Sequence, residues 1–212
     1  MKDFRLYAIT GEQFHPGRDM LDVMEQAILG GVDIVQLRDK KSPKAEVLAK
    51  AKALRKLTSR HDVTFIVNDY VDIAMEADAD GIHLGQGDMP LTEARKVVGS
   101  KIIGISTHAM EEALLAESQG ADYIGVGPVY RTATKEDVVD PVTEAYVREV
   151  ANAITIPFVA IGGIKLHNVD QVLVAGASRI CAVSEIVGSD NVKETCEAFI
   201  SKLEARYRKR WE

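Results

Sequence analysis

Eight short apolar runs rich in Val and Ile recur along the chain, each separated from the next by an amphipathic stretch. Strands buried on both faces read as continuous apolar runs, so this alternation is the pattern of parallel strands joined by crossover helices. The runs are Arg5 to Thr10, Asp33 to Leu37, Thr64 to Asn68, Gly81 to Leu84, Lys101 to Ser106, Tyr123 to Val126, Phe158 to Ile161 and Arg179 to Val183. Between them the apolar residues share one helical face: Leu21, Met24, Ala27 and Ile28 first, then Val47, Leu48, Ala51, Leu54 and Leu57. Ser42-Pro43 and Met89-Pro90 have the form of helix starts.

Eight strand-helix units in 212 residues predict an α/β fold, a single (β/α)8 TIM barrel over residues 1–212, at the small end of that fold's range. An open doubly wound sheet is the alternative, but no Gly-x-Gly-x-x-Gly turn follows the first run. Three helix-to-strand turns, Gly30-Gly31-Val32-Asp33, Asp78-Ala79-Asp80-Gly81 and Gly120-Ala121-Asp122-Tyr123, with Gly176-Ala177 a fourth, repeat one unit around a barrel. No low-complexity tract or linker interrupts the pattern.

Composition narrows the partners. A chain that is 46% hydrophobic can bury a substantial core, and a net charge of −6 supplies no basic field for nucleic acid or anionic lipid. The charged run Arg206 to Arg210 reads as the solvated last turn of a helix. Cys181 and Cys196 have neither metal-ligand spacing nor partners for a disulfide framework, which predicts a reducing, cytoplasmic setting. Charges at Lys2, Asp3 and Arg5 stand where a signal peptide needs an apolar stretch, and no run reaches membrane-spanning length.

In a barrel of this kind the chemistry belongs at the C-terminal strand ends. After the second run, Gln36, Arg38 and Lys40 share one face by the strand's period of two, and such a row binds diphosphate through Arg and Lys and a heterocycle through the Gln amide. A surface salt-bridge cluster is the alternative. The third and fourth runs end in Asn68-Asp69 and in Gly85-Gln86-Gly87-Asp88. Two carboxylates suffice for Mg²⁺ when substrate phosphates and water complete its shell, and helix N-capping is the competing use of Asp69 and Asp88. Ser106 and His108 suggest a nucleophile and base, but no Gly-x-Ser-x-Gly elbow is present, so Ser106 reads as a phosphate ligand. His83 and His108 read as packing or hydrogen-bonding residues. The long, charged 131–140 loop reads as a flap in which Thr132, Thr134 and Lys135 clasp phosphate. Gly162-Gly163 and Ser184, at the seventh and eighth strand ends, occupy the usual phosphate position of such barrels, and a simple turn is the competing use of the Gly pair.

Gln36-Leu37-Arg38-Asp39-Lys40, Val67-Asn68-Asp69, His83-Leu84-Gly85-Gln86-Gly87-Asp88, Ser106-Thr107-His108, Thr132-Ala133-Thr134-Lys135 and Ile161-Gly162-Gly163-Ile164 together resemble the thiamine-phosphate synthase family, in its order and nearly end to end. The resemblance implies a cytoplasmic transferase with Mg²⁺ and two phosphorylated small-molecule substrates, a pyrimidine diphosphate and a thiazole phosphate. It assigns Gln36, Arg38, Lys40, Asn68, Ser106 and Lys135 to the first, with Arg38, Ser106 and Lys135 catalytic. Thr132, Thr134, Gly163, Val183 and Ser184 go to the second, and Asp69 and Asp88 to the metal. A thiazole tautomerase relative would need no pyrimidine-diphosphate residues, and a thiamine phosphate sensor would need no metal carboxylates.

Overall fold

The fold is seen in a computed structural model, described over residues 1–132 and 140–208. Its strands are β1 (Leu6–Ile9), β2 (Ile34–Leu37), β3 (Thr64–Asn68), β4 (Gly81–Leu84), β5 (Ile102–Thr107), β6 (Tyr123–Val126), β7 (Phe158–Ile161) and β8 (Ile180–Cys181). They pair in parallel and in sequence order, and β8 returns to β1 through Leu6 against Ile180 and Tyr7 against Cys181. The sheet is closed, which excludes the open alternative. Helices α1 (Met20–Leu29), α2 (Lys44–Arg60), α3 (Val71–Glu76), α4 (Leu91–Val98), α5 (Met110–Ser118), α6 (Thr143–Ala153) and α7 (Val169–Val174) follow the first seven strands. The short α8 (Ser184–Val187) and the long α9 (Val192–Arg208) follow β8.

Most expected elements stand within a residue of their sequence bounds, and the differences have local causes. The eighth run ends at Cys181 because Val183 (φ −99°, ψ −82°) has left the extended region and become the N-cap of α8. Pro43 and Pro90, with ψ of 146° and 140°, are N-caps rather than first helical residues. On α1 the buried face is Met20, Val23, Met24, Ala27 and Ile28, and Leu21 lies half out at its edge.

Strand parity divides the core in two. Side chains facing outward, such as Leu6, Val35, Val67 and Ile124, pack under the helices. Those facing inward, Tyr7, Ile9, Ile34, Ile66, Tyr123, Val159 and Cys181, join Phe4 to fill the barrel. Phe4, Tyr7 and Tyr123 meet with ring centroids 6.1–6.3 Å apart and close its floor.

The repeated turn has a stabilising purpose at the N-terminal end of the barrel. Each turn holds a left-handed residue: Gly31 (φ 100°), Asp78 (50°), Gly120 (84°) and Gly176 (116°). In the first three, an Asp two residues later turns back to a neighbouring strand, and the fourth has Ser178 there. Asp33 accepts from the N–H groups of Arg5 (2.7 Å) and Leu6 (3.0 Å), Asp80 from Phe65 (2.8 Å), and Asp122 from Ile103 (2.8 Å). Each carboxylate thus satisfies strand donors that begin before the ladder can reach them.

Candidate active site

The polar groups converge at the opposite end. Gln36, buried, and Arg38 line the mouth of the barrel, one turn of the pleat apart. Between and beyond them, parity sends Asp39 the other way, to Lys50 (2.8 Å) and the N–H groups of Lys41 (3.1 Å) and Ser42 (3.0 Å). Burial would raise the Asp39 carboxyl, but Lys50 and those donors outweigh it and hold the group well below the ordinary range. Asp39 therefore anchors the loop. Among the described residues the Arg38 guanidinium pairs with no carboxylate, so a cation faces the mouth uncompensated.

Lys40 continues the row to the rim, where its Nζ stands 2.9 Å from Asp69 Oδ2. Asp88 lies against the same carboxylate. Burial raises the Asp69 carboxyl, Lys40 draws it down, and Asp88, close enough to share a hydrogen bond, raises it again. Neither Asp caps a helix: the N-caps of α3 and α4 are Tyr70 and Pro90, and Asp88 instead accepts from the Gly85 N–H at 2.6 Å. Two carboxylates held together beside a Lys, with no third acidic or imidazole group completing a cage among the described residues, suit a hard cation that brings other ligands with it. The trio stands one residue beyond Asn68, outside the lining of the mouth itself.

Asn68 and Ser106 line the mouth from β3 and β5 and are both buried. The histidine on Ser106 is His83, with Nε2 2.9 Å from Oγ, and not His108, whose Nδ1 stands 2.5 Å from the Gly127 carbonyl oxygen. A Ser106-His108 nucleophile pair is thereby excluded. On the far wall, Gly162 and Gly163 have φ of 100° and 63°. A Cβ at Gly162 would lie 2.4 Å from Pro128 Cα, and one at Gly163 2.7 Å from the Arg131 carbonyl oxygen. The pair is thus required for the loop after β6 to lie on the end of β7, where the N–H groups of Val129 and Tyr130 bond to Ile161 and Gly162. Among the described residues the Gly163 N–H meets no backbone acceptor. Val183 caps α8 without a side-chain bond, leaving the first N–H groups of that turn open beside Ser184.

Gln36, Arg38, Asn68, Ser106, Thr132, Gly163, Val183 and Ser184 are therefore brought to one cavity, with Lys40, Asp69 and Asp88 beside it. Thr134 and Lys135, and most of the 131–140 flap, lie outside the described residues. Tyr7, Gln13, His83 and His108 also line the cavity, and Tyr123 touches it through His83. Sequence reasoning gave Tyr7 and Tyr123 no part in the site. The inward parity of Tyr7 with Ile9 on β1 was the available signal.

Fold and mouth define the class: a (β/α)8-barrel enzyme that works on small molecules at the C-terminal ends of its strands. The family model described as Thiamine monophosphate synthase matches residues 6–186. A thiamine-phosphate synthase of Halalkalibacterium halodurans is 67% identical over 207 residues, 97% of this chain and 98% of that protein. One from Shouchella clausii is 60% identical over 96% of this chain and 98% of its own length. The solved structure of a thiamine phosphate pyrophosphorylase from Pyrococcus furiosus superposes with a TM-score of 0.88 at 35% identity, covering 96% of both chains. The chain belongs to the thiamine monophosphate synthase family, and is a transferase of thiamine biosynthesis. Among the described residues no helix is long and apolar enough to cross a membrane.

Proposed function

We propose that the enzyme joins 4-amino-2-methyl-5-(diphosphomethyl)pyrimidine to 4-methyl-5-(2-phosphoethyl)thiazole to give thiamine phosphate and diphosphate, a carboxylated form of the thiazole losing its carboxylate as carbon dioxide as well. The observation that carries this reading is the pairing of two anion-ready walls in one mouth. One wall has the Arg38 guanidinium, unpaired with any carboxylate among the described residues, and Lys40, Asp69 and Asp88 stand outside the lining at the rim. The other has the Gly163 N–H, the start of α8 and Ser184. That second wall is where barrels of this fold commonly take a phosphate.

In this reading the diphosphate lies against Arg38, Lys40, Ser106 and Lys135, with the ring between Gln36 and Asn68. The thiazole phosphate lies on Thr132, Thr134, Gly163, Val183 and Ser184. Asp69 and Asp88 would hold Mg²⁺, which neutralises charge on the diphosphate. The C–O bond breaks with its electron pair leaving on the diphosphate, the ring amino group supports the pyrimidine methyl cation, and the thiazole nitrogen lone pair closes the new C–N bond. No protein base is needed, so the residues act by placing charge and aligning the nucleophile. The reading also takes residues 1–212 as one catalytic unit working in the cytoplasm, in keeping with the burial of both cysteines, Cys181 and Cys196.

The test is direct. Purified protein given both substrates and Mg²⁺ is expected to release diphosphate, and no release refutes the reading. With Asp88→Asn, or with EDTA, turnover should fall by about 100-fold or more while thiazole phosphate binding changes little. Equal losses would remove the metal role.

A further inference from the structure

A largely buried chain of hydrogen bonds crosses the barrel at the bottom of the mouth. Gln36 Nε2 donates to Tyr7 Oη at 2.6 Å, Tyr7 Oη meets Tyr123 Oη at 2.9 Å, Tyr123 Oη meets His83 Nδ1 at 2.9 Å, and His83 Nε2 meets Ser106 Oγ at 2.9 Å. Its two ends, Gln36 and Ser106, both face the cavity. Packing alone does not require this chain. The floor between Phe4, Ile34, Ile66 and Val159 needs rings, and Phe would fill it. The hydroxyls instead place two polar groups in an apolar interior, where an unmet one costs about 1–3 kcal/mol. Gly104 on β5 keeps the space for them: a Cβ there would stand 2.1 Å from Tyr123 Cζ and 2.5 Å from its Oη.

We propose that Tyr7, Tyr123 and His83 are positioning residues, forming a relay of fixed polarity that turns the Ser106 hydroxyl proton into the mouth. An amide nitrogen only donates, and each tyrosine has one proton to give. Tyr7 receives from Gln36, so its proton goes to Tyr123, and the proton of Tyr123 goes to His83 Nδ1. His83 then carries its proton on Nε2 and gives that bond to Ser106 Oγ. The serine's own proton is left over, and it points to the cavity. Burial raises both tyrosines above their ordinary values, so each keeps the proton that the relay uses. The same polarity presents the Gln36 carbonyl oxygen to the mouth. A heterocycle bound there must therefore offer a donor, such as an exocyclic amine, while the group at Ser106 must be an acceptor. With the amide reversed, every bond would reverse, and Ser106 would show an anion only its lone pairs.

The inference rests on the proposed role of Ser106 toward diphosphate, and a double-mutant cycle separates the two. Single-turnover rates are measured for Ser106→Ala, Tyr123→Phe and the double variant. Ser106→Ala is expected to slow the reaction by about 100-fold, as loss of one donor to developing charge does. Tyr123→Phe should slow it by about tenfold, the equivalent of one neutral hydrogen bond, with KM for the pyrimidine diphosphate within about twofold of the parent. The double variant should be no slower than Ser106→Ala, because the relay acts only through that hydroxyl. Additive losses overturn the relay and leave the role of Ser106 standing. An unchanged rate in Ser106→Ala overturns both. Independently of any variant, ¹⁵N-histidine spectra of the parent protein should show His83 protonated on Nε2 alone, and a proton on Nδ1 overturns the polarity.

Discussion

Replacing Asp80 by Ala tests whether the repeated Asp of the helix-to-strand turns is a stabilising device confined to the N-terminal end of the barrel. Asp80 Oδ2 accepts from the N–H of Phe65, wholly buried on β3, and from Arg55 Nη1, each at 2.8 Å. Losing a charged acceptor leaves that N–H unmet, at about 1.5–3 kcal/mol. The Arg55 pair, with side chains 28% and 34% exposed, adds about 1 kcal/mol or less. The total is about 3 kcal/mol, or a fall in Tm on the order of 10 °C for a chain of this size. Asp80→Asn keeps an oxygen for Phe65 and gives up only the charge, so about 1 kcal/mol and a few degrees are expected. Urea unfolding followed by far-ultraviolet circular dichroism measures both, and turnover is assayed well below either midpoint. Turnover should be unchanged, since Asp80 lies at the opposite end of β3 from Asn68. An Ala variant within about 1 kcal/mol of the parent, or an Asn variant as damaged as Ala, would show that acceptance by the carboxylate is not the reason for the repeat. Intact stability with lost turnover would refute the division between the two ends.

Three further outcomes follow from close contacts and burial. Gly104→Ala drives a methyl to within 2.1 Å of Tyr123 Cζ, so it should lower stability by about 1–3 kcal/mol and slow turnover together, read by unfolding and steady-state kinetics; unchanged values would mean that the ring has room to move. Gly162→Ala combines a φ of 100° with a contact 2.4 Å from Pro128 Cα, and should raise KM for the thiazole phosphate more than KM for the pyrimidine diphosphate. Burial, then Glu197, pushes the Cys196 thiol up to about 12. Near neutral pH almost none of the folded thiol is thiolate, so iodoacetamide should label Cys196 no faster than the fold opens, as followed by mass spectrometry across denaturant.

What the sequence shows of this protein depends on how far apart the cooperating residues stand along the chain. Period-two parity needs only neighbours, so Gln36, Arg38 and Lys40 can be assigned to one side of β2, and the structure puts the first two in the mouth and the third on Asp69. The eight apolar runs are as local, and their strands emerge nearly in place. The relay is not local. It joins β2, β1, β6, β4 and β5, and the Tyr7–Tyr123 contact spans 116 positions. Only barrel closure brings these residues together. The same holds for Gly162 and Gly163, which suggest anion binding from their order, whereas the nearness of Pro128 and Arg131 supplies a packing reason that no local pattern contains.

Gln36 is in register with a neighbouring strand on both sides, Asn68 with His83 and Ser106 with Gly125, and each of the three is buried. Asp69, the first residue beyond the ladder on β3, is held almost as tightly. Its N–H bonds to the His83 carbonyl oxygen at 2.9 Å, and its backbone takes a φ of 62°, which costs a non-glycine residue about 1 kcal/mol or more. That turn swings the carboxylate away from α3, whose N-terminus would otherwise use it as a cap, and toward Lys40 and Asp88. The barrel thus accepts local strain and a repulsive carboxylate pair where the proposed reaction would need charge to be gathered. For the ionising reaction proposed above, placing charge before the substrate arrives would be the larger part of catalysis, and rigid strand ends do this better than loops.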